Sequence, residues 1–147
     1  MPSPVTLSPR SAEVVRSTLP VVEESIDDIT TIFYRTLLDE HPGLLGSMFS
    51  PERIADGSQQ RALAAAITSC AAMLVADEDA DPRDVLAPVA RRHRAVGVEP
   101  AQYEVVHQHL FAAIVAVLGD AVTPEVAAAW DEVYRTMAGT LVELEAA

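Results

Sequence analysis

His93 is the side chain in this sequence with the plainest chemical capacity. It lies in Arg91-Arg92-His93-Arg94, and at helical spacing Leu86, Val89 and Ala90 share its face. The imidazole is therefore expected to point into an apolar interior. Two readings of such a ring stand side by side. It is a core histidine with a satisfied hydrogen bond, or it is a neutral nitrogen ligand for a metal held in a dry helical core, as a haem iron is. Three other polar or aromatic residues accompany it: Tyr34 after Phe33, Phe49 beyond the His41-Pro42-Gly43 corner, and Gln59 one turn before Leu63. A phenol and a carboxamide can donate hydrogen bonds to a small ligand carrying partial negative charge. Gln60 rivals Gln59, but Gln59 falls on the stripe that continues through Leu63 to Ile67.

The elements that must position these residues are helices. Ser8-Pro9, Asp81-Pro82 and Thr123-Pro124 place a capping side chain before a proline, and Glu99-Pro100 is a weaker version. Pro20, after Thr18, marks a helix start or a kink. From Pro20 to about Asp39 a stripe of Val22, Ile26, Ile29, Phe33 and Leu37 follows a 3.6-residue period. A short turn is expected over Leu44 to Phe49, then a polar loop from Ser50 to Ser58. Further helices are expected over Gln59–Ala76, Pro82–Ala95 with Gly97 as its stop, Pro100–Leu118, and Pro124 to the end. No strand, repeat or low-complexity linker is read. The prediction is an all-α domain of six to eight helices over residues 1–147, whose unequal helix lengths disfavour a simple four-helix bundle.

Composition narrows the function. The chain has 147 residues, half of them hydrophobic and 22% charged, which suits one folded domain with room for a small-molecule pocket. A net charge of -12 argues against nucleic acid, because phosphate binding needs a basic face. The single cysteine, Cys70, excludes an internal disulfide and is read as a buried thiol in an alanine-rich helix. No signal peptide is visible, and the apolar stretch from Leu110 to Leu118 is too short to cross a bilayer. A cytoplasmic protein without membrane insertion is the expectation.

Phe33-Tyr34, Phe49, Gln59 to Ile67, His93 to Tyr103, and Leu118-Gly119-Asp120-Ala121 through Trp130 to Tyr134 occur here in one order and spacing. That pattern, spanning nearly the whole chain, resembles the haem domain of bacterial flavohaemoglobins and the Vitreoscilla-type single-domain haemoglobin. The resemblance implies a globin fold binding haem b, with His93 as the iron ligand. Tyr34 and Gln59 would lie on the ligand side as the catalytic pair, Leu63 would close the pocket, and Phe49 would pack on the porphyrin. Dioxygen, nitric oxide and carbon monoxide are the implied ligands. The implied activity is nitric oxide dioxygenation with a separate flavin reductase; the alternative is non-enzymatic oxygen storage, delivery or sensing. Monomer and homodimer are both compatible.

Two departures accompany the resemblance. The family couples its histidine to a tyrosine and to an acidic residue near the end of the last helix. Tyr103 matches the tyrosine, but aligning from Trp130 puts the acidic position on Ala147, with Glu143 and Glu145 a turn or less away. Either the network is missing or a neighbour substitutes. The sequence also stops where a flavohaemoglobin continues into its reductase, and it holds no glycine-rich dinucleotide fingerprint. A natural single-domain globin and a haem domain cut from a longer protein both fit.

Other constellations carry less. His107 and His109 point about 200° apart on a helix and cannot share an ion, His107 being expected to look outward and His109 to be half-buried. Asp77, Asp79 and Asp81 imitate a calcium loop, but Pro82 and Pro88 occupy its glycine and glutamate positions, which leaves a solvated acidic corner. Arg91, Arg92 and Arg94 form either a solvated face or a functional one. In the functional version Arg92 or a neighbour pairs with a haem propionate, or the three together dock a reductase.

Overall fold

A computed structural model describes residues 6–46, 48–76 and 81–146. The Asp77 and Asp79 corner and Ala147 lie outside the described residues. Six α-helices follow one another: α1 (Pro9–Glu40), α2 (Pro51–Ala55), α3 (Ser58–Val75), α4 (Arg83–Val96), α5 (Pro100–Leu118) and α6 (Pro124–Ala146). Single 3₁₀ turns occupy Pro42–Leu44 and Gly119–Ala121. Among the described residues there is no named strand, only one bridge between Leu45 and Phe49.

The first correction concerns Pro20. One 32-residue helix runs straight through it. Pro20 removes a backbone donor, at a cost of roughly 3 kcal/mol or more. Val15, Leu19, Val22, Ile29, Phe33 and Leu37 are all buried along the stripe that crosses it. At roughly 1.5–3 kcal/mol for each large apolar side chain, that burial outweighs the proline. The Thr18 hydroxyl donates to the Val14 carbonyl (2.7 Å) and accepts from Trp130 Nε1 on α6 (2.8 Å), which ties the proline turn to the far end of the fold.

The second correction is α2, which forms inside the expected polar loop. Ser50 caps it by accepting from the Arg53 amide, and Pro51 takes the first helical position. Gly57, at φ 80°, then turns the chain into α3; a Cβ there would sit 3.0 Å from Arg61 Nη1. The short turn expected over Leu44 to Phe49 falls earlier, at Pro42–Leu44, where Pro42 starts it. The other helix boundaries agree with the sequence to within a residue or two, and Gly97 ends α4 in the left-handed conformation at φ 76°.

Helix α1 packs against α3, α5 and α6, while α4 packs against α6. The expected membrane limit also needs amending. Residues 101–121, with mean hydropathy 1.2, are long and apolar enough to span a bilayer by length and composition. This segment packs against α1, and Tyr103, Val106 and Leu110 line an internal cavity.

Candidate functional site

A cavity of about 530 Å³ lies between the helices, within the roughly 300–1,000 Å³ usual for small-molecule and cofactor sites. Tyr34, Phe49, Gln59, Leu63, Arg92, His93 and Tyr103 all line it, and each of the six helices contributes at least one residue. Most of the remaining lining is aliphatic or aromatic, so polar groups inside it are few and placed.

Helices α4, α5 and α6 supply a hydrogen-bonded chain. His93 Nδ1 lies 2.9 Å from Tyr103 Oη, and Tyr103 Oη donates to Glu145 Oε2 at 2.5 Å. An ionised carboxylate only accepts, so the phenol proton goes to Glu145 and the phenol oxygen accepts from Nδ1–H. That order fixes the histidine tautomer: Nδ1 is protonated and Nε2 carries a lone pair. Among the described residues Nε2 has no protein partner. Burial lowers the His93 pKa; Glu145 opposes this and Arg92 adds to it, so the ring is neutral at neutral pH. Burial and the Glu145 bond drive Tyr103 far upward and keep its proton in place. Tyr134 Oη donates to the Tyr103 carbonyl at 2.5 Å and steadies the backbone behind it.

Helices α1 and α3 supply a different pair. Gln59 Nε2 donates to Tyr34 Oη at 3.1 Å. The phenol oxygen is thereby used as an acceptor, while its own hydrogen has no protein acceptor among the described residues. Tyr34 is 3% exposed, wedged edge-on between Phe33 (ring centroids 4.8 Å apart) and Phe49 (5.3 Å). Burial pushes its pKa from 10.0 up to about 12, with Gln59, Arg53 and Arg92 pulling the other way. At any ordinary pH it is a phenol with a proton to donate.

The structure brings Gln59, and not Gln60, to Tyr34. Gln60 Nε2 is held by the Ile54 carbonyl of α2 at 3.2 Å. The open question at the end of α6 has an answer as well. Glu145 joins the His93–Tyr103 chain, while Glu143 lies 3.7 Å from Arg83. Arg53 and Tyr134 also line the cavity and had no role assigned from sequence. Arg53 sits on the unforeseen α2, so only that short helix could have revealed it.

His107 departs from expectation. Its side chain faces inward, paired through Nε2 with Asp131 and packed against Tyr134 with ring centroids 5.0 Å apart. Its ring lies between α5 and α6, where it satisfies Asp131, and it does not share a ligand site with His109. Cys70 is fully buried and its thiol is pushed up to about 12 by desolvation, so it is unreactive.

The globin family model matches residues 31–141. The flavohemoprotein of Bacillus subtilis is 32% identical over 139 residues, covering 95% of this chain and 34% of that protein. The flavohemoglobin of Malassezia yamatoensis, solved with bound FAD and heme, superposes with a TM-score of 0.90 at 41% identity, over 95% of this chain and 37% of its own. A bacterial globin from Campylobacter jejuni superposes with a TM-score of 0.82 at 25% identity, over 95% of this chain and 96% of its own. The chain spans about a third of the length of the flavohemoproteins it matches.

Proposed function

The chain belongs to the globin family, and from that premise we propose that it binds haem b in the cavity, takes up dioxygen, and oxidises nitric oxide to nitrate with electrons from a separate flavin reductase. One observation carries the reading. The His93–Tyr103–Glu145 chain leaves a lone-pair nitrogen on a cavity whose α1 and α3 side offers a spare phenol hydrogen. That donor set fits a haem: a neutral imidazole for the iron, apolar lining for the porphyrin, and a hydrogen-bond donor for the ligand. Haem iron supplies reversible coordination of a diatomic gas and the one-electron changes of the reaction. The balance is one nitric oxide, one dioxygen and one electron for each nitrate.

The protein's own contribution is positional and electrostatic. His93 would hold the iron, and hydrogen bonding through Tyr103 to Glu145 would make its imidazole a stronger donor. Tyr34 would give its hydrogen to the ligand, with Gln59 fixing the phenol by the bond it donates. Leu63 and Phe49 would exclude water around that bond, which strengthens it. Arg92, exposed at the cavity rim, would pair with a propionate. A single haem domain in a cytoplasmic setting belongs to the same proposal.

The second reading is an oxygen-storing, delivering or sensing globin without turnover, which the same pocket and the same ligand-side phenol would serve. The first test is the visible spectrum of the dithionite-reduced protein before and after carbon monoxide. A five-coordinate spectrum that shifts sharply with carbon monoxide supports haem binding; no Soret band above free haem overturns it. Nitric oxide consumption with an added reductase then separates the two functions. Sustained turnover supports the enzyme, and a single stoichiometric burst supports the carrier.

A further inference from the structure

Away from the cavity, the C-terminal end of α1 meets the middle of α5. Glu40 closes α1, His41 caps it, and His109 projects from α5; one ligand atom from each lies within 4.8 Å of the others. The His41 and His109 rings meet edge-on with centroids 5.6 Å apart. Glu40 Oε2 contacts His109 Nε2 directly. The other ring nitrogen of His109, Nδ1, is 2.9 Å from the Val105 carbonyl. A carbonyl only accepts, so Nδ1 carries a proton there, and Nε2 is the ring atom presented to Glu40 and His41.

A lone pair facing a carboxylate oxygen requires positive charge between them. A second proton on His109 would serve the Glu40–His109 pair alone and would leave the convergence of His41 without a role. We propose that Glu40, His41 and His109 form a binding site for a divalent transition-metal cation of the zinc or copper kind, held by two imidazole nitrogens and one carboxylate oxygen, with water completing the shell. Two nitrogen ligands disfavour magnesium and calcium, which prefer all-oxygen shells. Orientation of a ligating imidazole by a backbone carbonyl at its far nitrogen is the usual support for a metal-bound histidine. Metal–ligand bonds of about 2.0–2.2 Å place ligand atoms roughly 3–3.5 Å apart. The Glu40–His109 contact is shorter than that, so Glu40 would draw back to admit the ion and the exposed His41 would turn inward, while Val105 holds His109 still. A bound ion would tie the end of α1 to α5 at the point where the chain departs toward Phe49. His107 takes no part, since Asp131 on α6 holds its Nε2.

The test is a titration of the purified full chain with zinc chloride by calorimetry, followed by copper(II) electron paramagnetic resonance. The expected result is one equivalent bound, with His41→Gln and His109→Gln each weakening affinity by more than roughly tenfold. His107→Gln should bind as the parent does, and the copper spectrum should show coupling to two nitrogens. His41 is an exposed cap residue, so its variant folds and keeps the test valid even if His109→Gln does not. No zinc uptake, or equal uptake by the His41→Gln variant, overturns the proposal. Binding at His93 would be recognised by its indifference to the His41 and His109 changes.

Discussion

The two polar groups on the cavity are built on different principles. The His93 side is a relay ending in a charge: imidazole, phenol and carboxylate bonded in succession, with His93 and Glu145 side chains 29% and 14% exposed. The Tyr34–Gln59 pair itself carries no formal charge, with Arg53 and Arg92 acting on it from nearby. It consists of a phenol and a carboxamide in an aromatic clamp, and Tyr34 is almost wholly buried. Both contain a tyrosine whose proton is held tightly, yet the protons are spent differently. Tyr103 gives its hydrogen inward to Glu145 and so works on His93, whereas Tyr34 keeps its hydrogen for whatever enters the cavity. In the proposed haem site, one side would set the electron density of the iron's histidine and the other the polarity met by a guest.

The sharpest break of this contrast is His93→Ala, which should abolish the carbon monoxide-sensitive ferrous spectrum altogether. Retention of a five-coordinate histidine-type spectrum would remove His93 from its role. Next in size, Tyr34→Phe should leave haem content intact but raise the dioxygen dissociation rate by about 10- to 100-fold, measured by stopped flow. That corresponds to the roughly 1.5–3 kcal/mol of a hydrogen bond to a charged group. Gln59→Leu should act more weakly, at about three- to tenfold, because Gln59 works by orienting Tyr34 and is worth an ordinary hydrogen bond of about 0.5–1.5 kcal/mol.

Glu145→Gln should scarcely change ligand dissociation and should instead lower the iron–histidine stretching frequency in the Raman spectrum. In the haem-free chain the same change should lower the His93 pKa further, since the Glu145 charge raises it against the larger effect of burial. An effect of Glu145→Gln confined to dissociation rates would erase the distinction between the two sides.

The smallest effects are those of pH. An unfolded His93 takes up a proton near 6.5, which the folded ring resists. Stability present above pH 6.5 is therefore lost as pH falls below 6.5 and through the lowered folded pKa, and denaturant midpoints of the haem-free chain should decline there less in His93→Gln. At the alkaline end, unfolded tyrosines ionise near 10.0, but all three folded ones are held above it, Tyr34 at about 12. Absorbance at 295 nm should stay flat through pH 10 and then rise together with unfolding. A phenol titrating freely at pH 10 would show that one of the two sides is wet.

Much of this arrangement was legible in sequence because its determinants are local. Proline-and-cap pairs marked the helix starts, and helical spacing put Leu86, Ala90 and His93 on one face. Residue order alone gave an all-α domain; the globin fold and the cavity's principal residues came from the resemblance to flavohaemoglobin haem domains. What stayed hidden depends on tertiary contact. The choice among Glu143, Glu145 and Ala147 turns on where α6 docks, because a two-residue shift swings a side chain about 200° around the helix. The continuity of α1 through Pro20 is decided by burial on both sides of it. Helix α2 is one turn long and is made by Ser50 and Pro51 against a background that reads as loop. His107 turns inward because Asp131 and Tyr134 of α6 await it there.

The bonds from Ser8 and Ser11 to Glu132, at 2.5–3.1 Å, join residues more than 120 positions apart. Together with Thr18 and Trp130 they fasten the first helix to the last. During synthesis on the ribosome, α3 and α5 can cover part of the α1 stripe, but its remaining face waits for α6, and Glu145 emerges later still. The cavity gains its last wall, and His93 its fixed tautomer, only once α6 has been made and has docked, so the whole pocket depends on the last helix to leave the exit tunnel.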